Sequence, residues 1–401
     1  MERKLLFYLL FASFVSAYLS ITVFQGFLTL AFAVWLFILL KERRFETFRG
    51  RLTVPLLGHL AVLDLSSALF LRVSEQWRRL VEQNFFTLSY FFPKVLDPEG
   101  VLKLLRWTLA AAPLLGLLLS AKVWVSFLVY GEIKAFWGGK FVIGNLLALP
   151  FFASLYFALT GEGLWRKVLF SGGAALFLWT AFLPFERSVV LGFLAGLLLF
   201  GAAAFSLLKD RRARAALLAG GLLLAAAGTA AALQNPKVEY WIKLVESRGL
   251  NAETLNALSS QRVVIAEGAL ELVERALEEG DYLKLLIGWG YGPQKQYENL
   301  PPPLNRIINE YESFLPITEF VNGGLLGLLF VVWFYLAAAR LTRETFKRRD
   351  ELFLLKVSVL SAAWVNLVYH LFTLFWVPLN ALFFVLLAAV EVLNQRGREK
   401  T

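Results

Sequence analysis

The chain has 401 residues, 58% of them hydrophobic, with a mean hydropathy of +0.63 and a formal charge of +10. So apolar a composition cannot be covered by a polar surface, which excludes an ordinary soluble protein and points to an integral membrane protein. The absence of Cys excludes disulfides and thiolate chemistry, His59 and His370 are too few for a His-built metal site, and the Lys and Arg surplus sits beside the ends of apolar runs, as the positive-inside rule expects, rather than in a nucleic-acid footprint.

Residues 5–40 are long enough for two spans of about 18 residues each. They lie between Arg3-Lys4 and a basic cluster at 41–51, and no small-residue cleavage site stands out, so they read as an anchor rather than a removed signal peptide. Further basic clusters at 209–214, 340–349 and 396–400 mark cytoplasmic positions by the same rule. Between Arg51 and Lys209 the number of crossings must then be even, yet five runs are clear, at 52–71, 101–121, 141–160, 165–184 and 188–208. Residues 80–96 supply the sixth, although Glu82, Gln83 and Asn84 stand near one end. With 215–233, 320–339, 352–371 and 373–393, the expectation is an all-α polytopic membrane protein of about twelve transmembrane helices. Both termini are cytoplasmic in this reading, and one large helical periplasmic loop precedes the tenth span of a bacterial inner-membrane protein. The parts are a nine-helix bundle over 1–233, the loop over 234–318, and three helices over 319–401.

The loop is the one long polar connection, and connections that outgrow the rest tend to carry function. Helices are expected over 238–248 and 252–279, where Leu255, Leu258, Val263, Ala266, Leu270, Val273 and Leu277 recur at helical spacing, with Asn251 as N-cap and Gly280 as stop. Arg262 precedes Ala266 by one turn, so it lies on or beside the apolar face, or else stands in solvent paired with Glu in the next turns. Gly288-Trp289-Gly290-Tyr291-Gly292-Pro293 suits neither a helix nor a central strand. It reads as a tight turn with exposed N–H groups able to cradle an oxyanion, with Trp289 and Tyr291 placed to stack on a sugar or to anchor at the interface. A short helix over 304–314 then brings Glu312 to the lipid boundary, where a partly desolvated carboxylate suits proton transfer or a hydrogen bond to a neighbouring helix. Arg187 falls on the same side as the loop.

Several stretches resemble the O-antigen ligase and O-antigen polymerase superfamily. The run Ser260-Gln261-Arg262-Val263-Val264-Ile265-Ala266-Glu267-Gly268-Ala269-Leu270, followed by Leu286-Ile287-Gly288-Trp289-Gly290-Tyr291-Gly292, is similar to its Arg-led helix and G-x-G turn. Glu312-Ser313-Phe314-Leu315 with Gly323-Gly324-Leu325-Leu326-Gly327-Leu328 is similar to its closing segment. Gly139-Lys140-Phe141-Val142-Ile143-Gly144-Asn145 resembles a G-x-F-x-x-P-N stretch with Gly144 in place of Pro, and Glu186-Arg187-Ser188 resembles an external S-R-G element. Order and spacing along nearly the whole chain carry the resemblance, not any single motif.

The resemblance implies transfer of a glycan from an undecaprenyl diphosphate carrier to an acceptor hydroxyl at the outer face of the inner membrane. Arg187 and Arg262 would bind the diphosphate, a role suited to forked, permanently charged guanidiniums. No Asp-x-Asp pair stands in the outer segments to hold a divalent ion, so the implied transferase uses neither metal nor cofactor. Ligases of the superfamily carry His-Asn where this chain has Glu312-Ser313, which favours a polymerase, with Glu312 as general base and inversion at the anomeric carbon. Gly290, Trp289, Tyr291, Asn145 and His370 are the implied substrate-binding residues, although a lone His at a helix end also suits a purely structural role. Implied partners are the undecaprenyl-diphosphate-linked glycan, an acceptor that is a lipid-linked repeat unit or, for a ligase, lipid A core, membrane lipids, and a chain-length regulator protein. The rival classes are a lipid-linked glycan flippase, which would place its polar groups at mid-membrane on broken helices, and a non-catalytic assembly partner.

Overall fold

The computed structural model describes residues 1–70, 74–211, 214, 236–260, 262–292, 314–372 and 378–396. Among them are fifteen α-helices, a few short 3₁₀ turns and no strand. In chain order the helices are α1 (Glu2–Ala17), α2 (Ile21–Glu42), α3 (Thr53–Phe70), α4 (Ser74–Leu88), α5 (Pro98–Tyr130), α6 (Ile143–Thr160), α7 (Leu164–Phe182) and α8 (Arg187–Leu207). There follow α9 (Pro236–Arg248), α10 (Ala252–Leu258), α11 (Arg262–Glu278), α12 (Tyr282–Ile287), α13 (Leu315–Arg348), α14 (Phe353–His370) and α15 (Leu379–Arg396).

Seven of these are long and apolar enough to cross a membrane: α2, α3, α5, α6 with the turn before it, α8, α13 and α14. The chain is therefore a multi-pass helical protein. The structure does not display all twelve expected crossings as such. Helix α1 has only 16 residues, α7 carries Arg166 and Lys167 in its first turn, and the apolar part of α15 is confined to Leu379–Gln395. The expected span over 215–233 lies outside the described residues. The expected single span over 80–96 is instead the end of α4 followed by the 3₁₀ segment Ser89–Val95. Helix α4 is too polar for a lipid-facing helix, with Arg78, Arg79 and Glu82.

The chain forms two compact units. The first comprises Met1–Leu60, Trp77–Phe200 and Phe330–Thr401. One end of it is tied by a buried charge network. The Glu391 carboxylate accepts from the Tyr90 hydroxyl and, at 2.6 Å, from the Arg51 backbone N–H, and it pairs with Lys94 at 2.8 Å. Lys94 also donates to the Arg49 carbonyl at 3.2 Å, so the chain that leaves Arg51 along α3 returns beside it at Lys94. Lys356 bridges Asp350 at 2.6 Å and Asn394 at 3.0 Å, and Asn394 donates to Thr345 at 2.8 Å. A cleft of about 280 Å³ opens here between Arg51, Glu344, Glu391 and Asn394. At the far end, Trp137 donates to the Ala17 carbonyl at 2.7 Å, Tyr18 to Leu146 at 2.9 Å and Tyr369 to Phe141 at 3.1 Å. These bonds fix the turns at which α1, α6 and α14 meet.

The second unit comprises Ala61–Gln76 and Gly201–Leu329. Asn251 caps α10 through a 2.8 Å bond from the Thr254 N–H, and Gly280, with φ of 69°, ends α11, both as the sequence leads one to expect. The single helix expected over 252–279 is broken, however. Ser260 adopts a left-handed φ of 57°, and the Asn256 side-chain oxygen accepts from the Val264 N–H at 3.2 Å, so the chain turns between α10 and α11. Short polar side chains compete with helix propagation in this way. The core of the unit joins Ala269, Leu272 and Ala276 of α11 to Trp289 and to Val321 of α13.

Candidate functional site

In the second unit the glycine-rich turn is not the exposed backbone that its sequence suggests. Residues 287–292 are all buried. The Trp289 N–H donates to the Val321 carbonyl at 2.9 Å, the Tyr291 N–H to the Ser67 hydroxyl at 3.0 Å, and the Gly292 N–H to the Asn322 side chain at 3.1 Å. The Gly292 carbonyl accepts from Gln76. Buried backbone polar groups persist only where the protein itself pairs them. That requirement accounts for a hydroxyl, an amide and a broken helix converging on one turn. Trp289, 4% exposed, packs against Phe320 with ring centroids 6.3 Å apart, and Tyr291 is equally enclosed. The turn therefore positions its neighbours, and the N–H groups of residues 289, 291 and 292 are directed inward. Gly290, between them, is buried with φ of 94°.

Arg262 begins α11 and is half-buried. Its guanidinium donates to the Ser259 carbonyl at 2.5 Å, at the C-terminal end of α10. It is thus seated at the corner between two helices, at the head of α11. Glu267 is exposed on α11, and Glu312 lies outside the described residues.

In the first unit, Arg187, Asn145 and His370 share the far end. Helix α8 packs against α14 so closely that a methyl group on Gly192 would lie 2.6 Å from the Val365 carbonyl oxygen, and one on Gly196 2.8 Å from that of Ser361. The two helices are antiparallel, and each runs five residues beyond the first of these contacts, to Arg187 and His370. Gly144, where the superfamily stretch has Pro, brings α6 equally close to Val189, which sets Asn145 beside the first turns of α8. Lys140 approaches Glu186 at 3.6 Å in the same layer.

Two residues that sequence reasoning missed belong here. Counting from the Lys356–Asn394 bond, α15 carries Asn380 level with His370, and Asn366 lies one turn below His370 on α14. Asn145, Asn366 and Asn380 are at most 2% exposed. The side-chain oxygen of Asn145, the side-chain nitrogen of Asn366 and both side-chain polar atoms of Asn380 find no hydrogen-bond partner among the described residues. Leaving a buried amide unpaired costs roughly 1–3 kcal/mol, so a cluster of such groups suits a polar, hydroxyl-bearing ligand or water. In the second unit, Glu319 is a further missed residue, a fully buried carboxylate one turn before Asn322 on α13. Its signal was present in the sequence as an ionisable residue within an apolar helix, which in membrane proteins marks function or pairing.

No protein-family model matches the chain. Over 395 residues, 97% of this chain and 97% of the other, it is 28% identical to an uncharacterized protein of Aquifex aeolicus (strain VF5). The chain is a multi-pass helical membrane protein with a full-length bacterial homologue.

Proposed function

We propose that this protein is a membrane glycosyltransferase that moves a glycan from undecaprenyl diphosphate to an acceptor sugar hydroxyl at the periplasmic face, acting as a polymerase of lipid-linked repeat units. The observation that carries the reading is the layer formed by Arg187, Asn145 and His370 at the end of the first unit remote from its basic network. By the positive-inside rule that end faces the periplasm. Two stretches similar to superfamily elements, those of Asn145 and Arg187, come together there with His370 among buried amides suited to sugar hydroxyls.

In this reading Arg187 and Arg262 neutralise charge on the departing diphosphate, the electrostatic part of the catalysis. Glu312 takes the proton of the acceptor hydroxyl, which then attacks the anomeric carbon directly as the carbon–oxygen bond to the diphosphate breaks, with inversion of configuration. Glu312-Ser313 in place of His-Asn supports the polymerase over the ligase. The deciding experiment supplies purified protein with an undecaprenyl-diphosphate repeat unit. A ladder of longer lipid-linked glycans is the expected product, whereas glycan on added lipid A core without a ladder assigns the ligase, and neither product refutes glycan transfer.

A further inference from the structure

Helix α11 carries three parallel stripes. Ile265, Ala269, Leu272 and Ala276 are buried in the unit core. Glu267, Glu271, Glu274 and Glu278 form an acidic stripe. The third stripe, Val263, Ala266, Leu270, Val273 and Leu277, is as apolar as the first but faces outward, with Leu270 60% and Leu277 50% exposed. This is the periodicity that stands out in the sequence, and the core does not use it. A helix needs only one apolar face to pack on its own unit, so the second has another partner.

The same outward surface continues onto α12, where Tyr282, Leu283 and Leu286 are 44–67% exposed. Two contacts fix its depth. Lys284 of α12 lies 6.0 Å from the ring centre of Phe70, the last residue of membrane-crossing α3. The backbone at Leu286–Gly288 rests on Gly324 of membrane-crossing α13, whose next residue, Leu325, is itself 48% exposed. The apolar surface of α12 is therefore continuous with the lipid-facing side of a span.

We infer that α12 and the outer stripe of α11 lie in the interfacial layer of the outer leaflet, with lipid acyl chains and neutral headgroups as their partner. Leucines and a tyrosine on one face with a charged face beside it suit a helix lying in the membrane plane. The acidic stripe argues against anionic lipid as the main attraction. Arg262, at the head of the stripe, then stands at headgroup depth. The inference does not depend on glycosyl transfer.

Since the chain has no Cys, single Leu270→Cys, Leu277→Cys and Tyr282→Cys variants can each carry an environment-sensitive fluorophore, with Glu274→Cys as the control. All four side chains are exposed, so the fold tolerates them. In phosphatidylcholine vesicles containing doxyl-labelled lipid, labels at residues 270, 277 and 282 are expected to be quenched several-fold more than the label at residue 274, with the order reversed for aqueous iodide. Iodide quenching at residues 270 and 277 equal to that at residue 274 overturns the inference, because the stripe then faces water. Protection from both quenchers also overturns it, because protein then covers the stripe.

Discussion

Gly288 and Gly324 meet backbone to backbone: a methyl group on Gly324 would lie 2.5 Å from the Gly288 nitrogen, and one on Gly288 2.5 Å from the Gly323 nitrogen. Both residues also have positive φ, 85° and 62°, which side chains disfavour. The glycine-rich turn and the break in α13 are therefore one structural feature. Gly324→Ala is expected to destabilise the protein by about 2–4 kcal/mol through overpacking and backbone strain. Thermal unfolding in detergent checks this, with Gly327→Ala as a milder control, since its nearest neighbour is 3.1 Å away.

Acid should loosen α12. Asp281 caps this helix by accepting from the Lys284 N–H at 3.4 Å, and it pairs with the Lys284 ammonium at 2.9 Å. Hydrogen bonding to Lys284 holds the Asp281 carboxyl below the usual carboxylate range. A depressed value means the stabilisation is complete above the unfolded value, near pH 4, and is lost as pH falls through the folded value. Protection of α12 amides against hydrogen exchange is expected to fall below about pH 4, and Asp281→Asn is expected to remove that dependence.

The network around Glu391 should be more sensitive to losing one partner than to losing both. Glu391 and Lys94 are 3% and 5% exposed, and removing one partner of a buried pair costs about 3–5 kcal/mol. Glu391→Ala is thus expected to unfold at markedly lower denaturant, and adding Lys94→Met to recover part of the loss. An additive double variant would contradict the pairing.

Arg262 offers a test of geometry against charge. Its guanidinium already donates to the Ser259 carbonyl, and Lys keeps the charge but not the fork. Arg262→Lys is expected to lower glycan transfer at least tenfold while leaving thermal stability nearly unchanged. A variant with full activity would remove this residue from the proposed diphosphate site.

Much of the scaffold was legible because lipid imposes simple rules. Apolar runs and flanking charges located α2, α3, α5, α6, α8, α13 and α14, and Asn251 and Gly280 marked helix ends by local chemistry. What escaped depended on partners distant in sequence. The turn at residues 288–292 is closed by Ser67, Gln76 and Asn322, which no local pattern links to it. Periodicity on α11 revealed an apolar stripe but could not choose between two of them, and the core took the less bulky one, Ile265, Ala269, Leu272 and Ala276. The break at Ser260 rests on a bond that the Val264 N–H donates to the Asn256 side chain, in competition with a strong helical pattern. Glu319 was passed over because the expected span began at Phe320, whereas α13 begins at Leu315. At the candidate site, Arg187 and Asn145 came from motif order and His370 from its place at a helix end, while Asn366 and Asn380 became visible only through helix register.

The most direct test of the central claim measures glycan elongation on undecaprenyl diphosphate by purified wild-type protein, Arg187→Ala and Arg262→Ala side by side, each first shown to retain its fold. The account predicts a product ladder from the wild type and at least a hundredfold less from either variant, the scale expected when a group stabilising transition-state charge is removed. Wild-type rates from either folded variant, or no transfer by the wild type to any glycan acceptor, would contradict it.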